Sequence, residues 1–246
     1  MTHNVQVGHG PDDSMKPVTG QLGTLLAALR KQYGPIEVPE PREPFALIVW
    51  ENCAYLVDDE RRAVAFERLR KAVGITPQRL LAAGAKKIEA AISEAGMQPP
   101  HRAAKVVRCA EIALTHADGD LASALSALPE KPRRTLLKRF PGIADPGADK
   151  VLLLCGFSDA PALDSNGLRV LERLRLVASG QAYPRAYRAG VTALAMAGIA
   201  GSRALEAYAL FRAHGRKLCK RASPLCADCS LRHTCPSASE RTSSRS

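Results

Sequence analysis

The sequence predicts an all-α fold, and three observations carry that expectation. Alanine and leucine abound while aromatic residues make up only 4% of the 246 positions, a mixture that favours helices packed on helices over sandwiches or barrels of strands. Apolar residues recur at helical spacing in one segment after another. Only one short run, residues 45–50, carries strand propensity, through Ile48 and Val49. No partner strand accompanies it, so it too is assigned to a helix.

The elements follow in order. Leu22, Leu25, Leu26 and Leu29 form one stripe of a helix over residues 21–32, and the proline-rich stretch 35–44 is a linker. Asp58 or Asp59 caps a helix reaching about Val73, with Val64, Phe66 and Leu69 expected to face inward. Short helices are predicted over 76–83, 85–95, 102–114, 118–128 and 132–139, most of them bounded by glycine, proline or a capping residue. An apolar helix runs from Gly147 to Cys155, a basic amphipathic one follows Asp164, and helices over 187–197 and 202–214 complete the set. Residues 1–16 and 237–246 are polar and expected to be disordered. No internal repeat of fixed period is present.

The formal charge of +11 and the pI of about 9.6 suit a polyanionic partner, nucleic acid above all. No apolar run approaches the roughly 18 residues that span a bilayer, and the N-terminal stretch lacks the apolar core of a signal peptide. A cytoplasmic protein is therefore expected, or a nuclear one if its source has a nucleus. Three of its seven cysteines, Cys53, Cys109 and Cys155, stand apart in apolar contexts. The other four, Cys219, Cys226, Cys229 and Cys235, are separated by six, two and five residues. In a reducing compartment such crowding argues for a metal centre rather than disulfides. Four soft thiolates suit an iron–sulfur cluster or zinc. Zinc ribbons usually pair two close Cys-x-x-Cys knuckles; here only one pair is that close, so spacing alone leaves both metals open.

The stretch from His214 to Cys219 followed by this cysteine loop resembles the C-terminal end of endonuclease III and its adenine-mismatch relatives, within the helix–hairpin–helix DNA glycosylase superfamily. The resemblance implies a [4Fe–4S] cluster on the four cysteines, with Lys217, Lys220 and Arg221 set against DNA phosphates, Arg232 beside them. Phe140-Pro141-Gly142-Ile143-Ala144 is similar to the family's hairpin opening, Leu-Pro-Gly-Val-Gly. Such a turn aims backbone N–H groups and a helix N-terminus at a phosphate, which implicates Pro141, Gly142, Ile143, Ala144 and Gly147. Lys131, Arg133, Arg134, Lys138 and Arg139 precede the turn. Ala144 stands where the family has its second glycine, and Asp145 would repel a phosphate if it pointed the same way.

Further along, the segment around Asp164 resembles the catalytic-aspartate segment, most closely the Leu-Asp-Gly-Asn version of the adenine-mismatch branch. Taken by itself Asp164 is a helix N-cap, and the two roles coexist, since a helix N-terminus favours a carboxylate's charge. The position of the lysine nucleophile in bifunctional members holds Pro146 here, and proline within a chain has no nucleophilic amine. Lys150, one turn further, is either a substitute nucleophile or a surface or phosphate-contacting lysine. Residues 44–55 resemble the helix that opens the barrel, which places Glu51 on the catalytic glutamate of the adenine-mismatch branch. Apolar neighbours Ile48, Val49 and Trp50 are expected to raise its pKa, as a proton donor to the departing base requires; the plainer reading is an ion-paired glutamate at the barrel edge. Tyr55 and Leu56 fall where the family places its wedge, and otherwise pack in the core.

The resemblance thus implies two helical lobes with DNA between them. A six-helix barrel with the hairpin takes residues 42–160, a discontinuous cluster lobe takes 17–41 and 161–236, and Asp164 stands at the junction. The implied protein is a monofunctional glycosylase acting as a monomer near the nucleoid on double-stranded DNA with a flipped base. Two other readings remain: a bifunctional glycosylase and abasic-site lyase using Lys150, and a non-catalytic iron–sulfur DNA-binding protein.

Overall fold

The computed structural model describes residues 16–243. Among them the chain forms twelve α-helices and no β-strand, only an isolated bridge between Tyr55 and Gly96. Helix α1 (Lys16–Tyr33) buries the predicted stripe of Leu22, Leu25, Leu26 and Leu29. Helix α2 (Pro44–Cys53) starts on Glu43, whose carboxylate accepts from the amides of Phe45 and Ala46. It is buried nearly all round, by Phe45, Leu47, Ile48, Val49 and Trp50. The local strand preference loses because this helix is the axis on which α3 (Asp59–Ala72), α5 (Pro99–Ala117), α6 (Leu121–Ala127) and α8 (Asp145–Leu154) all pack.

Asp58 caps α3 by accepting from the amide of Arg61. Val64, expected to face inward, is instead 52% exposed. The inward seam runs through Ala65, Phe66 and Leu69, and a residue one place before Ala65 is turned about 100° off it. Helix α4 (Pro77–Ile92) is broken at Gly84 (φ 69°, ψ 170°), where the sequence predicts a boundary, and lies along α5. Helix α7 (Glu130–Leu137), a tight turn and α8 make the hairpin. Pro146 lies in the first turn of α8, where its missing N–H costs nothing and its fixed φ favours the start; the helix therefore begins at Asp145, before the predicted Gly147.

A second group gathers α9 (Ser165–Arg173), α10 (Tyr183–Met196) and α11 (Ser202–Lys217), with α1 packed on α10 and α11. Helices α9 and α11 come close because residue 215 is glycine: a Cβ there would stand 2.5 Å from the carbonyl oxygen of Asn166. Contacts between α11 and α8 join the two groups. After a short 3-10 turn, Cys226–Asp228, the chain ends in α12 (Pro236–Ser243). The expectation of a disordered tail from 237 is thus corrected as far as Ser243, and Lys16 likewise belongs to α1. The remainder of both expected disordered ends, residues 1–15 and 244–246, lies outside the described residues. No described helix is long and apolar enough to cross a membrane.

Candidate active site

Where the two groups of helices meet, a cavity of about 390 Å³ opens among Glu51 of α2, Ala144, Pro146 and Lys150 at the hairpin, Asp164 before α9, and Tyr187 of α10. Asp164 is the N-cap of α9. One carboxylate oxygen accepts from the amides of Asn166 (2.9 Å) and Gly167 (2.7 Å), and the other from the side-chain amide of Asn166 (2.8 Å). The helix N-terminus and these donors suit a standing negative charge.

Glu51 faces the same cavity, but not as an acid with a raised pKa. Burial pushes its carboxyl up, yet Lys150 at 2.6 Å, aided by Arg62 and Arg212, outweighs that and holds it below the usual glutamate range. The apolar neighbours noted in the sequence lie on the faces of α2 turned to the core. Lys150, for its part, is neither on the surface nor in contact with solvent along most of its length: its side chain is 11% exposed. The structure therefore brings Glu51, Lys150 and Asp164 around one space.

Behind Asp164 stands Arg212 of α11, which no sequence motif singles out. Its guanidinium reaches Asp59 (2.8 Å), Glu40 (3.2 Å) and Asp164 (3.7 Å), while Arg216 also binds Asp59 (2.8 Å). Burial opposes the Arg212 charge, but Asp59 and Glu40 outweigh it and raise its pKa. A second unforeseen pair walls the cavity: Tyr183 and Tyr187 stack with centroids 6.3 Å apart. The Tyr187 hydroxyl donates to Asp149 (2.7 Å), which also binds Arg134.

The hairpin turn carries Gly142 at φ 74°, a conformation that favours glycine. Asn52 of α2 fixes the turn by donating its side-chain amide to the carbonyl of Pro141 (3.0 Å). The side chain of Ile143 is buried, so only its backbone is available to a ligand. Ala144 gives α8 no side-chain cap, which leaves that N-terminus open towards the cavity. Asp145, feared as a repulsive charge, is tied to Lys138 (2.8 Å) and Arg134 (3.7 Å). Arg133 donates to the carbonyls of Leu125 and Phe157. Three of the five cations before the turn thus serve the fold.

The four cysteines Cys219, Cys226, Cys229 and Cys235 share a cavity walled by Val170, Leu174, Leu218 and Leu231. Arg173 donates to the Cys219 sulfur (3.2 Å) and the Leu231 amide to that of Cys229 (3.4 Å), contacts that suit thiolates. Among the described residues no group of three or more Cys, His, Asp or Glu is arranged to hold a lone metal ion. All four cysteines line that one cavity, and a set of four thiolates is one that a [4Fe–4S] cluster takes. Arg169 of α9 connects this loop to the acid: it donates to the carbonyl of Cys219 (2.9 Å) and to Asn166 (3.0 Å), the partner of Asp164. Lys217, Lys220 and Arg221 lie on the surface beside the loop. Just past the end of α2, Tyr55 and Leu56 are exposed rather than packed in the core, Leu56 by 74% and with a left-handed backbone (φ 55°).

A helical hairpin, a carboxylate-lined cavity beside it and a four-cysteine loop define the class, a helix–hairpin–helix DNA glycosylase fold. No family model matches the chain. Endonuclease III of Sulfolobus acidocaldarius is 30% identical over 195 residues, 79% of this chain and 82% of the relative. Among solved structures, a trapped endonuclease III–DNA covalent intermediate aligns with a TM-score of 0.74 at 20% identity, covering 91% of this chain and 98% of that one. A non-covalent endonuclease III–DNA complex gives 0.74 at 19% identity over 92% and 98%. A thermostable thymine-DNA glycosylase gives 0.73 at 16% identity over 93% and 100%. The chain belongs to the endonuclease III family.

Proposed function

We propose that this protein is a monofunctional DNA glycosylase, hydrolysing the N-glycosidic bond of a damaged or mismatched base in duplex DNA. The observation that carries the reading is Asp164 beside the hairpin, facing the same cavity as Glu51. Base removal needs the nucleotide turned out of the stack, and breaking its glycosidic bond passes through an oxocarbenium-like state, as in sugar hydrolysis. Asp164 stabilises that cation and orients the water. Glu51 is the second carboxylate of the cavity. Tyr55 and Leu56, exposed just past α2, fill the gap left by the extruded nucleotide. The hairpin backbone from Pro141 to Ala144 and the start of α8 at Gly147 receive phosphates, as do Lys217, Lys220 and Arg221.

Cys219, Cys226, Cys229 and Cys235 hold the [4Fe–4S] cluster, which supplies a rigid anchor for that basic loop. Residues 42–160 form the barrel lobe, and 17–41 with 161–236 the cluster lobe. Two features support hydrolysis without strand cleavage: Pro146 occupies the family's lysine position, and the nitrogen of Lys150 is bound to Glu51. One observation favours the second reading, a lyase step, because Lys150 does line the cavity.

The test is incubation with duplexes bearing different lesions, with and without hot alkali. Strand breaks only after alkali are expected. Breaks without alkali establish the lyase, and no breaks on any lesion leave a DNA-binding protein without turnover.

A further inference from the structure

Base removal by Asp164 and water leaves a charged lysine in the cavity without a task. The rest of α8 shows what stability alone selects at inward positions: Ala148, Val151, Leu152 and Leu153 are all buried and apolar. A buried ion pair is usually no better for stability than apolar residues of similar volume, so packing gives no reason for a lysine here. It is also the one cation among the residues lining the cavity, against the carboxylates of Glu51, Asp145 and Asp164. Asp145 is already matched by Lys138 and Arg134. Lys150 stands one turn beyond Pro146, on a similar face of the helix.

We infer that Lys150 and Glu51 work as a coupled acid and base, Lys150 giving a proton to the departing base and Glu51 taking one from the attacking water. The inference rests on the glycosylase reading. The two groups are in direct contact at 2.6 Å, so a proton crosses between them without an intervening water. Protons and electron pairs balance over one turnover. The electron pair of the C1′–N bond leaves with the base, whose nitrogen or conjugated oxygen receives a proton from the Lys150 ammonium. Water oxygen bonds to C1′ and gives up a proton to Glu51. That proton passes from Glu51 to the neutral Lys150 amine, which restores the ion pair. Asp164 takes no part in this proton traffic and faces the charge that develops on the sugar.

Held against Glu51, the Lys150 ammonium has no free electron pair with which to displace the base directly, and the amine left after it gives up its proton is the acceptor for the proton from Glu51. The groups facing Glu51 come from every neighbouring element: Lys150 from α8, Arg62 from α3, Arg212 from α11, and Asp164 before α9. Of the cations among them only Lys150 lines the cavity.

The experiment compares wild type with Lys150→Met in single-turnover excision. The substrates are built on whichever base the lesion panel shows released, with ring halogens that make its leaving nitrogen progressively more acidic. Lys150→Met is expected to lose about 100- to 10,000-fold on the least acidic base and far less on the most acidic, which departs without a donor. Thermal melting and gel-shift binding of the variant check that it folds and holds DNA. An equal loss on every base overturns the inference, as does a borohydride-trapped covalent adduct at Lys150. Release of no base by wild type from any duplex overturns the glycosylase reading itself, and is told apart because the wild type is then inert.

Discussion

Arg212 Nε stands 3.7 Å from Oδ2 of Asp164 while the same guanidinium holds Glu40 and Asp59. One cation from α11 thereby ties the proline-rich linker, the start of α3 and the cap of α9 to each other. Arg212 is 11% exposed and Glu40 only 2%, so little water is at hand to replace it.

Substituting Arg212 by methionine leaves Glu40 without a cation, while Asp59 keeps Arg216 and Asp164 keeps its amide donors. One oxygen of Glu40 already lacks a hydrogen-bond partner among the described residues. Removing one member of a buried charge pair costs about 3–5 kcal/mol, and urea denaturation should show a loss of that order. Arg212→Lys, which keeps the charge without the fork of donors, should recover part of it. Unchanged stability in the methionine variant would mean the network is not formed.

Asp164→Asn separates capping from chemistry. Asparagine caps a helix about as well as aspartate, so the melting temperature and DNA affinity should hold. Excision should fall by at least about 100-fold, measured in single turnover. Retained excision would remove Asp164 from the reaction.

The pH dependence follows from the lowered pKa of Glu51. A glutamate depressed in the folded state contributes its stabilisation fully above the ordinary value of about 4.3 and loses it as pH falls through the folded one. The acid limb of wild-type excision assigned to Glu51 should therefore lie below that value. In Lys150→Met, burial acts on Glu51 with its main opposing charge gone, and the limb should move up in pH. A limb that stays in place, read from a pH–rate profile, contradicts this account of the pair.

Gly215→Ala tests the close crossing of α9 and α11. A methyl group there meets the backbone of Asn166 at 2.5 Å, and backbone yields less readily than a side-chain tip. Overpacking of this kind costs about 1–3 kcal/mol. Excision should drop along with the melting temperature, because the displaced residue is the one that holds Asp164.

Lys220 and Arg221 should report phosphate contact through salt. Replacing either by glutamine should lower the slope of log affinity against log salt by about 0.9. Lys138, bound to Asp145, should leave the slope nearly unchanged when replaced. Cys226→Ser should reduce bound iron and sulfide on chemical analysis and weaken binding to duplex DNA.

Features written in local residue types were legible from the sequence. Gly84 marks a break in α4, Asp58 and Asp164 announce helix starts, and the cysteine spacing announces a shared cavity. Periodicity also outlined most helices, although Val64 shows that an apolar residue next to the seam is easily assigned to it. Relationships between distant segments were not legible. Glu51 has apolar neighbours in sequence, yet its environment is set by Lys150 on another helix. Arg212 and Asn52 look like ordinary polar residues in helical segments until tertiary packing sets one against three carboxylates and the other under the hairpin. The cations before the hairpin advertised a DNA contact, but Arg133 and Arg134 are bonded within the protein.

The packing of α1 on α10 and α11 bears on how the chain is made. Among the described helices α1 is synthesised before the others, yet the helices it packs on, α10 and α11, come far later in the chain, and its leucine stripe stays uncovered until they emerge. The helices between can settle on α2 in the meantime, since domains generally fold as units during synthesis. The long closure that finally brings α1 home is the kind of contact that slows folding. A nascent chain halted before α11 would therefore expose Leu22, Leu25 and Leu29 to whatever chaperone waits at the tunnel.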